Sequence, residues 1–132
     1  MKRIQAVGLI ILFFASVTQS DAHHTLSASY DLKKTVRIEG KLVVFDLRSP
    51  HSFAIVQAPD EGEKPRRWIF EWSSSSRLAA TGVTSKTLKV GDIVTITGHP
   101  SYRQGDYKAV IISLRRNSDG YVWGLGKDEF VE

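Results

Sequence analysis

The chain has 132 residues and no cysteine; 42% of its residues are hydrophobic, 24% are charged, and its formal net charge is +4. This length is enough for one domain, and the lack of cysteine excludes disulfides and thiolate metal sites. The small positive excess is typical of a solvated basic face, so no nucleic-acid partner is expected.

The first 22 residues have the pattern of a Sec-type signal peptide. Lys2 and Arg3 precede an apolar run over residues 6–17, and small or polar residues follow as far as Ala22. The run is short for a bilayer span, which makes a transmembrane anchor the less favoured alternative. We expect cleavage, a periplasmic or secreted location, no membrane span in the mature chain, and a single domain over residues 23–132.

The mature chain begins with an arm, residues 23–34, in which Leu26 and Tyr30 are expected to dock onto the domain. A β-hairpin is predicted next, over residues 35–58, with Pro50 and His51 in its turn. Gly40 interrupts the alternation of the first strand, which predicts a bend or a bulge. Six hydrophobic residues are predicted to face the core: Leu42, Val44, Phe53, Ile55, Val94 and Ile111.

The second half of the chain predicts three more strands and one short helix. A strand over Arg67–Trp72 is followed by four serines that offer N-caps, and then by a helix over Ser76–Thr81 that ends before Gly82. The remaining strands are predicted over Ile93–Gly98, Lys108–Leu114 and, at an edge, Tyr121–Trp123.

The order of three strands, a short helix and two strands is that of an OB-fold. The sequence therefore predicts an all-β protein, a small OB-fold-like barrel of about five strands with one short helix between strands three and four. The alternatives are a small β-sandwich and an SH3-like barrel, and the helix after strand three argues against both.

No catalytic constellation is visible in the sequence. It has no GxSxG, P-loop, HExxH or EF-hand motif, so we do not expect an enzyme. Trp68, Phe70 and Trp72 share one strand face, which suits a stacking platform or, as we favour, the core. Glu71 lies on the opposite face, where a structural ion pair with an arginine is expected.

The sharpest chemical feature is His23-His24 at the predicted mature terminus. Cleavage after Ala22 gives His23 a free amine, and that amine and its imidazole can chelate one ion. A second imidazole, from His24 or His51, would complete a nitrogen-rich Cu(II) site. This site resembles the histidine brace of copper monooxygenases and copper-resistance proteins.

The second plausible cut gives a different copper site. Cleavage after Ser20 leaves Asp21-Ala22-His23, a terminus that can bind Cu(II) or Ni(II) through its amine, two amide nitrogens and one imidazole. It resembles the amino-terminal site of serum albumin. A flexible terminus with no metal is the alternative to both sites.

Two further histidines lie in turns beside proline. His51 follows Pro50 on a rigid turn, so it is a candidate third metal ligand, although it can instead close the turn through a backbone hydrogen bond. His99 precedes Pro100 and is a weaker candidate, since a His-Pro turn needs no ligand. The predicted metal ligands are thus His23, His24 and His51, with copper as the candidate cofactor.

Several short motifs together resemble an uncharacterised exported bacterial family, the domain of unknown function 6152. That family has an AHHS start, an NPH turn and an LKPGD turn; here Thr25 stands in place of its Ser, and Ser49 in place of its Asn. The resemblance implies export and one β-rich domain, without an established activity. The motifs are AHHT at 22–25, Tyr30-Asp31, Gly40, Pro50-His51, Trp68–Glu71, Leu88–Asp92 and Gly98–Pro100.

Two functions of different classes follow from these features. The first is an exported module that holds copper through His23, helped by His24 or His51. The second is a metal-free module in the periplasm that binds a small ligand or a protein through the loops around His51 and His99.

Overall fold

The structure is a computed structural model that describes residues 26–124. The predicted signal peptide, His23 and His24 lie outside the described residues. Within residues 26–124, no helix combines the length and the apolar character that crossing a membrane requires. The elements are α1 (Leu26–Ser29), β1 (Val36–Asp46), β2 (Ser52–Pro59), β3 (Pro65–Trp72), α2 (Ser75–Ala80), β4 (Ile93–Pro100), β5 (Lys108–Arg116) and β6 (Val122–Gly124).

Strand β1 organises the sheet because its two halves pair with different neighbours. Its first half pairs antiparallel with β4 and its second half with β2, and β2 pairs with β3. A parallel pairing of β3 with β5 closes the barrel, and β6 extends the sheet beyond β5. The closed order β1-β2-β3-β5-β4, with α2 between β3 and β4, confirms the predicted OB-fold-like barrel.

Gly40 lies where β1 changes partner from β4 to β2. A Cβ atom at this position would be 2.4 Å from the carbonyl oxygen of Gln57 and 2.8 Å from Cγ1 of Val56. No side chain fits in that space, so the close approach of the strands requires glycine. The bulge itself lies a little further on, between Leu42 and Val44.

This bulge reverses the faces of the hairpin relative to the prediction. Three of the six predicted core residues are buried: Leu42, Val94 and Ile111. The other three assignments are wrong: Val44 is 36% exposed, and Phe53 and Ile55 are only half-buried. The extra residue in β1 shifts the alternation by one, so β2 turns Ala54, Val56 and Ala58 inward instead.

The aromatic residues of β3 form part of the core, which is the interpretation that the sequence favoured over a stacking platform. Phe70 and Trp72 are buried, while Trp68 is half-buried and stacks on Phe70 with ring centroids 6.1 Å apart. Helix α2 contributes its single buried side chain, Leu78. The helix begins after Ser74, whose side chain accepts a hydrogen bond from the Arg77 amide at 3.4 Å.

Candidate functional site

A cluster of polar side chains surrounds Glu71 on the outer face of the barrel. Glu71 lies where β3 meets β5, in register with Phe53 of β2 on one side and Val110 of β5 on the other. Its side chain is nevertheless only 13% exposed. A carboxylate withdrawn from water in this way needs charged or hydrogen-bonding partners.

Three segments of the chain supply those partners. The hydroxyl of Tyr30, in the N-terminal arm, donates to Oε2 of Glu71. The Nζ atom of Lys108, at the start of β5, lies 3.4 Å from the same oxygen. Nδ1 of His51, in the β1–β2 turn, bonds to Oε1. The prediction that Glu71 pairs with an arginine is wrong, because a lysine, a histidine and a tyrosine bind its carboxylate instead.

These contacts set the charge states of the cluster. Burial by itself raises the pKa of Glu71, but the Tyr30 hydrogen bond, the Lys108 charge and the His51 hydrogen bond outweigh it and lower the pKa overall. Burial, together with the hydrogen bond to Glu71, raises the pKa of Tyr30 far above its usual range. At neutral pH, Glu71 is therefore an anion and Tyr30 a fixed donor.

The ionised carboxylate also fixes the tautomer of His51. A carboxylate accepts hydrogen bonds only, so Nδ1 must carry the proton and, in the neutral ring, Nε2 keeps the lone pair. The side chain is 47% exposed, and Nε2 has no hydrogen bond within residues 26–124. Metal-binding histidines typically have this arrangement, with a carboxylate on the nitrogen that does not bind the metal.

Ser52, rather than His51, closes the hairpin turn between β1 and β2. The hydroxyl of Ser52 donates to the carbonyl oxygen of Arg48 and accepts from its amide, both at 3.1 Å. The alternative interpretation of His51, a backbone hydrogen bond that closes the turn, is therefore wrong. With the turn closed by Ser52, the imidazole of His51 is available to Glu71.

The other predicted ligands are not brought together by the described part of the chain. His23 and His24 lie outside it, and residues 26–124 contain no group of three or more potential metal-ligating side chains. Nδ1 of His99 is 2.8 Å from the carbonyl oxygen of Lys34. His99 is in register with Val110, two strands away from Glu71, or roughly 10 Å at the usual strand spacing.

A groove of about 830 Å³ lies beside this cluster, between the β2–β3 loop and the β4–β5 loop. Trp68 and Tyr107 contribute aromatic rings to it, and Lys108 lines it while also contacting Glu71. Sequence reasoning missed Lys108 and Tyr107 as site residues. Tyr30 was expected to dock on the barrel, and it is 2% exposed, whereas Leu26 is 47% exposed and does not dock.

Comparison with known proteins gives a family and a structural likeness. The mitochondrial single-stranded DNA binding protein Rim1 from S. cerevisiae is similar over 66% of this chain and 96% of that one, with 9% identity and a TM-score of 0.48. No curated protein matches the sequence. A family model described as a family of unknown function, DUF6152, matches residues 12–111, which is most of the chain. The chain therefore belongs to the DUF6152 family.

Proposed function

We propose that the mature protein is an exported OB-like binding module, periplasmic or secreted, that holds copper between its N-terminal histidines and His51. The observation that carries this proposal is the pair of His51 and Glu71. It leaves the lone pair of Nε2 on a half-exposed imidazole, oriented by an ionised carboxylate. The role is one of binding and includes no catalytic step.

The N-terminal arm supports the participation of His23 and His24. Tyr30 fastens this arm beside the cluster, because its hydroxyl binds the same carboxylate as His51 and its backbone bridges to Ser101. His24 precedes Tyr30 by six residues. Four of these residues form α1 and rise about 1.5 Å each, so the segment spans up to about 13 Å, and the histidine pair is within chain reach of His51.

The chemistry of the proposed donors favours copper. The α-amine and imidazole of His23, with the imidazole of His51 or His24, make a set of nitrogen ligands that suits Cu(II) in a planar geometry. In the alternative terminus Asp21-Ala22-His23, the amine, two amide nitrogens and the imidazole of His23 supply all four ligands of a square-planar site, so His51 takes no part. Substitution at His51 therefore separates the two geometries.

The test is a Cu(II) titration of the mature protein, with His51→Ala and the matched control His99→Ala. We expect a one-to-one complex, a large loss of affinity in His51→Ala, and little change in His99→Ala, because Nδ1 of His99 is engaged by Lys34. Glu71→Gln should lower the affinity about 10–100-fold, as loss of a carboxylate behind a ligating histidine typically does. Asp46→Asn, in β1, is the control for the loss of a carboxylate charge.

A protein with an N-terminal tag should bind copper much more weakly, since its α-amine is blocked. Affinity should also fall as the pH drops through the range in which imidazole takes up protons. Equal binding by the tagged and mature forms, or no binding by either, would contradict the proposal. Full affinity in His51→Ala, with loss on tagging, would favour the Asp21-Ala22-His23 site.

A second candidate function is a metal-free ligand-binding barrel, and the groove beside Lys108 favours it. OB-folds commonly bind ligands on the face flanked by the loop between strands four and five, and that loop lines this groove. Such binding should persist in a metal chelator and in His51→Ala. Copper binding at either terminal site should be lost in the chelator, and copper binding through His51 should also be weakened in His51→Ala, so the two functions can be separated.

A further inference from the structure

We propose that the groove between the β2–β3 and β4–β5 loops binds a neutral oligosaccharide. This inference rests on the second candidate function, the ligand-binding barrel, and is independent of the copper proposal. The groove encloses about 830 Å³, which is within the range of small-molecule sites.

One wall of the groove is held rigid by Asp60. Its Oδ1 atom accepts hydrogen bonds from the amides of Gly62, at 2.9 Å, and Lys64, at 2.8 Å. Its Oδ2 atom accepts from Nε of Arg66 at 2.8 Å. The guanidinium of Arg66 in turn lies over the ring of Tyr107, 5.2 Å from its centroid. These contacts fasten the β2–β3 loop to Tyr107, whose aromatic ring lines the groove, as a preformed site requires.

Tyr107 itself has a backbone conformation that is unusual for a bulky residue. Tyr107 has a φ of 46°, in the left-handed region that a bulky side chain rarely adopts. The Ile69 amide donates to the Tyr107 carbonyl at 2.8 Å, and Trp68 meets the Tyr107 ring edge-on with centroids 5.4 Å apart. Strain of this kind persists where the surroundings impose it, and it clusters at ligand sites.

The charges along the groove are close to balanced. Lys34 pairs with Asp31 at 3.5 Å, and Lys108 pairs with Glu71. A nucleic acid would be attracted by a clear excess of cations, which this lining does not have. The charged residues that line the groove are Asp31, Asp60 and Glu61, with Lys34, Arg37, Arg103 and Lys108.

The aromatic and polar groups together fit a sugar. The ring of Tyr102 is 57% exposed at the mouth of the groove, and Trp68 and Tyr107 are half-buried within it. Such rings pack against the C–H face of a pyranose, while exposed polar side chains such as Arg103 and Glu61 bond to its hydroxyls.

Calorimetric titration of the mature protein with chitotetraose, maltotetraose and cellotetraose tests this inference. We expect at least one of them to bind, with an affinity that does not change between low and high salt. Tyr102→Ala should weaken that binding about tenfold, which is the scale of one lost stacking contact. Because Tyr102 is exposed, this substitution should leave the protein folded. Val90→Ala, at a residue that is 67% exposed and does not line the groove, should leave it unchanged.

A single-stranded thymidine oligonucleotide is the polyanion arm of the same experiment. Binding of the oligonucleotide only, with a steep loss at high salt, would show the sugar class to be wrong while leaving a ligand-binding barrel in place. No binding to any of the four probes, or full sugar affinity in Tyr102→Ala, would overturn the inference. Neither result bears on the copper titration, which depends on His51 and the terminus.

Discussion

Glu71 joins three segments that are far apart in the sequence. The arm, the β1–β2 turn and β5 each place one side chain on its carboxylate: Tyr30, His51 and Lys108. Because the carboxylate is largely withdrawn from water, each partner removed leaves a charge less well compensated. The cluster therefore contributes to stability as well as to the proposed metal site.

Replacing Tyr30 with Phe removes a donor from Glu71 and leaves the ring in place. We expect the free energy of unfolding to fall by about 1.5–3 kcal/mol, the usual range for a hydrogen bond to a charged group. Urea titration followed by tryptophan fluorescence measures the change. Tyr102→Phe, which removes an exposed hydroxyl, is the control and should stay within about 0.5 kcal/mol of the wild type.

The lowered pKa of Glu71 predicts a loss of stability in acid. Its ordinary value is about 4.5, and the folded value is lower, so the unfolded chain binds the proton first. Glu71 therefore contributes its full stabilisation above about pH 4.5, and the contribution is lost as the pH falls through the folded pKa.

The measurement is the stability of wild type and Glu71→Gln at pH 7 and at pH 3. The difference between the two proteins should be smaller at pH 3. Asp119, whose pKa the hydrogen bond from Arg116 lowers to about 2, loses its own contribution equally in both proteins, so it cancels. A difference that is constant with pH would show that the ionisation of Glu71 does not stabilise the fold.

At the level of strands, the bulge in β1 decides which residues of the hairpin are inside. Alternation shows which residues share a face, but it does not show where an extra residue is inserted. The strands, helix α2 and the OB order were all predictable, because turn residues and caps mark their ends. The inward assignment of Val44, Phe53 and Ile55 was wrong, because a shift of one residue exchanges the faces.

The corrected register makes a prediction about two neighbouring residues of β2. Val56→Ala, at a fully buried position, should cost about 2 kcal/mol, since two methyl groups leave the core. Ile55→Ala removes more carbon but from the outer face, so it should cost less than Val56→Ala. Denaturant unfolding of both variants measures the order, and a larger loss in Ile55→Ala would contradict the register.

The candidate site was predictable only in part, because its members meet through the closure of the barrel. The sequence placed His51 on a turn, Tyr30 against the domain and Glu71 on the outer face. The contact with Lys108 depends on the parallel register of β3 and β5, in which Ile69 faces Lys108. Nothing in the local pattern of either strand sets that register.

For the whole molecule, the point of cleavage determines which terminus the barrel carries. Expression of the full chain with export, followed by intact mass measurement, should show a protein that starts at His23 or, less favoured, at Asp21. The physical basis is the order of basic residues, apolar run and small residues over positions 2–22. A product that retains Met1 would contradict cleavage and remove both proposed terminal copper sites.

The parallel pairing that closes the barrel has a consequence for how the chain folds. It joins β3 to β5 through three residue pairs, whereas β2 and β3 share eight. Contacts between distant segments form after local ones, because more chain entropy must be lost to bring them together. Lys108 therefore reaches Glu71 only once β3 and β5 have paired, whereas His51 directly precedes β2 and can meet Glu71 within the β2–β3 hairpin. Amide exchange should be faster along the β3–β5 pairing than between β2 and β3, and each opening would separate Lys108 from Glu71 without unfolding the hairpin.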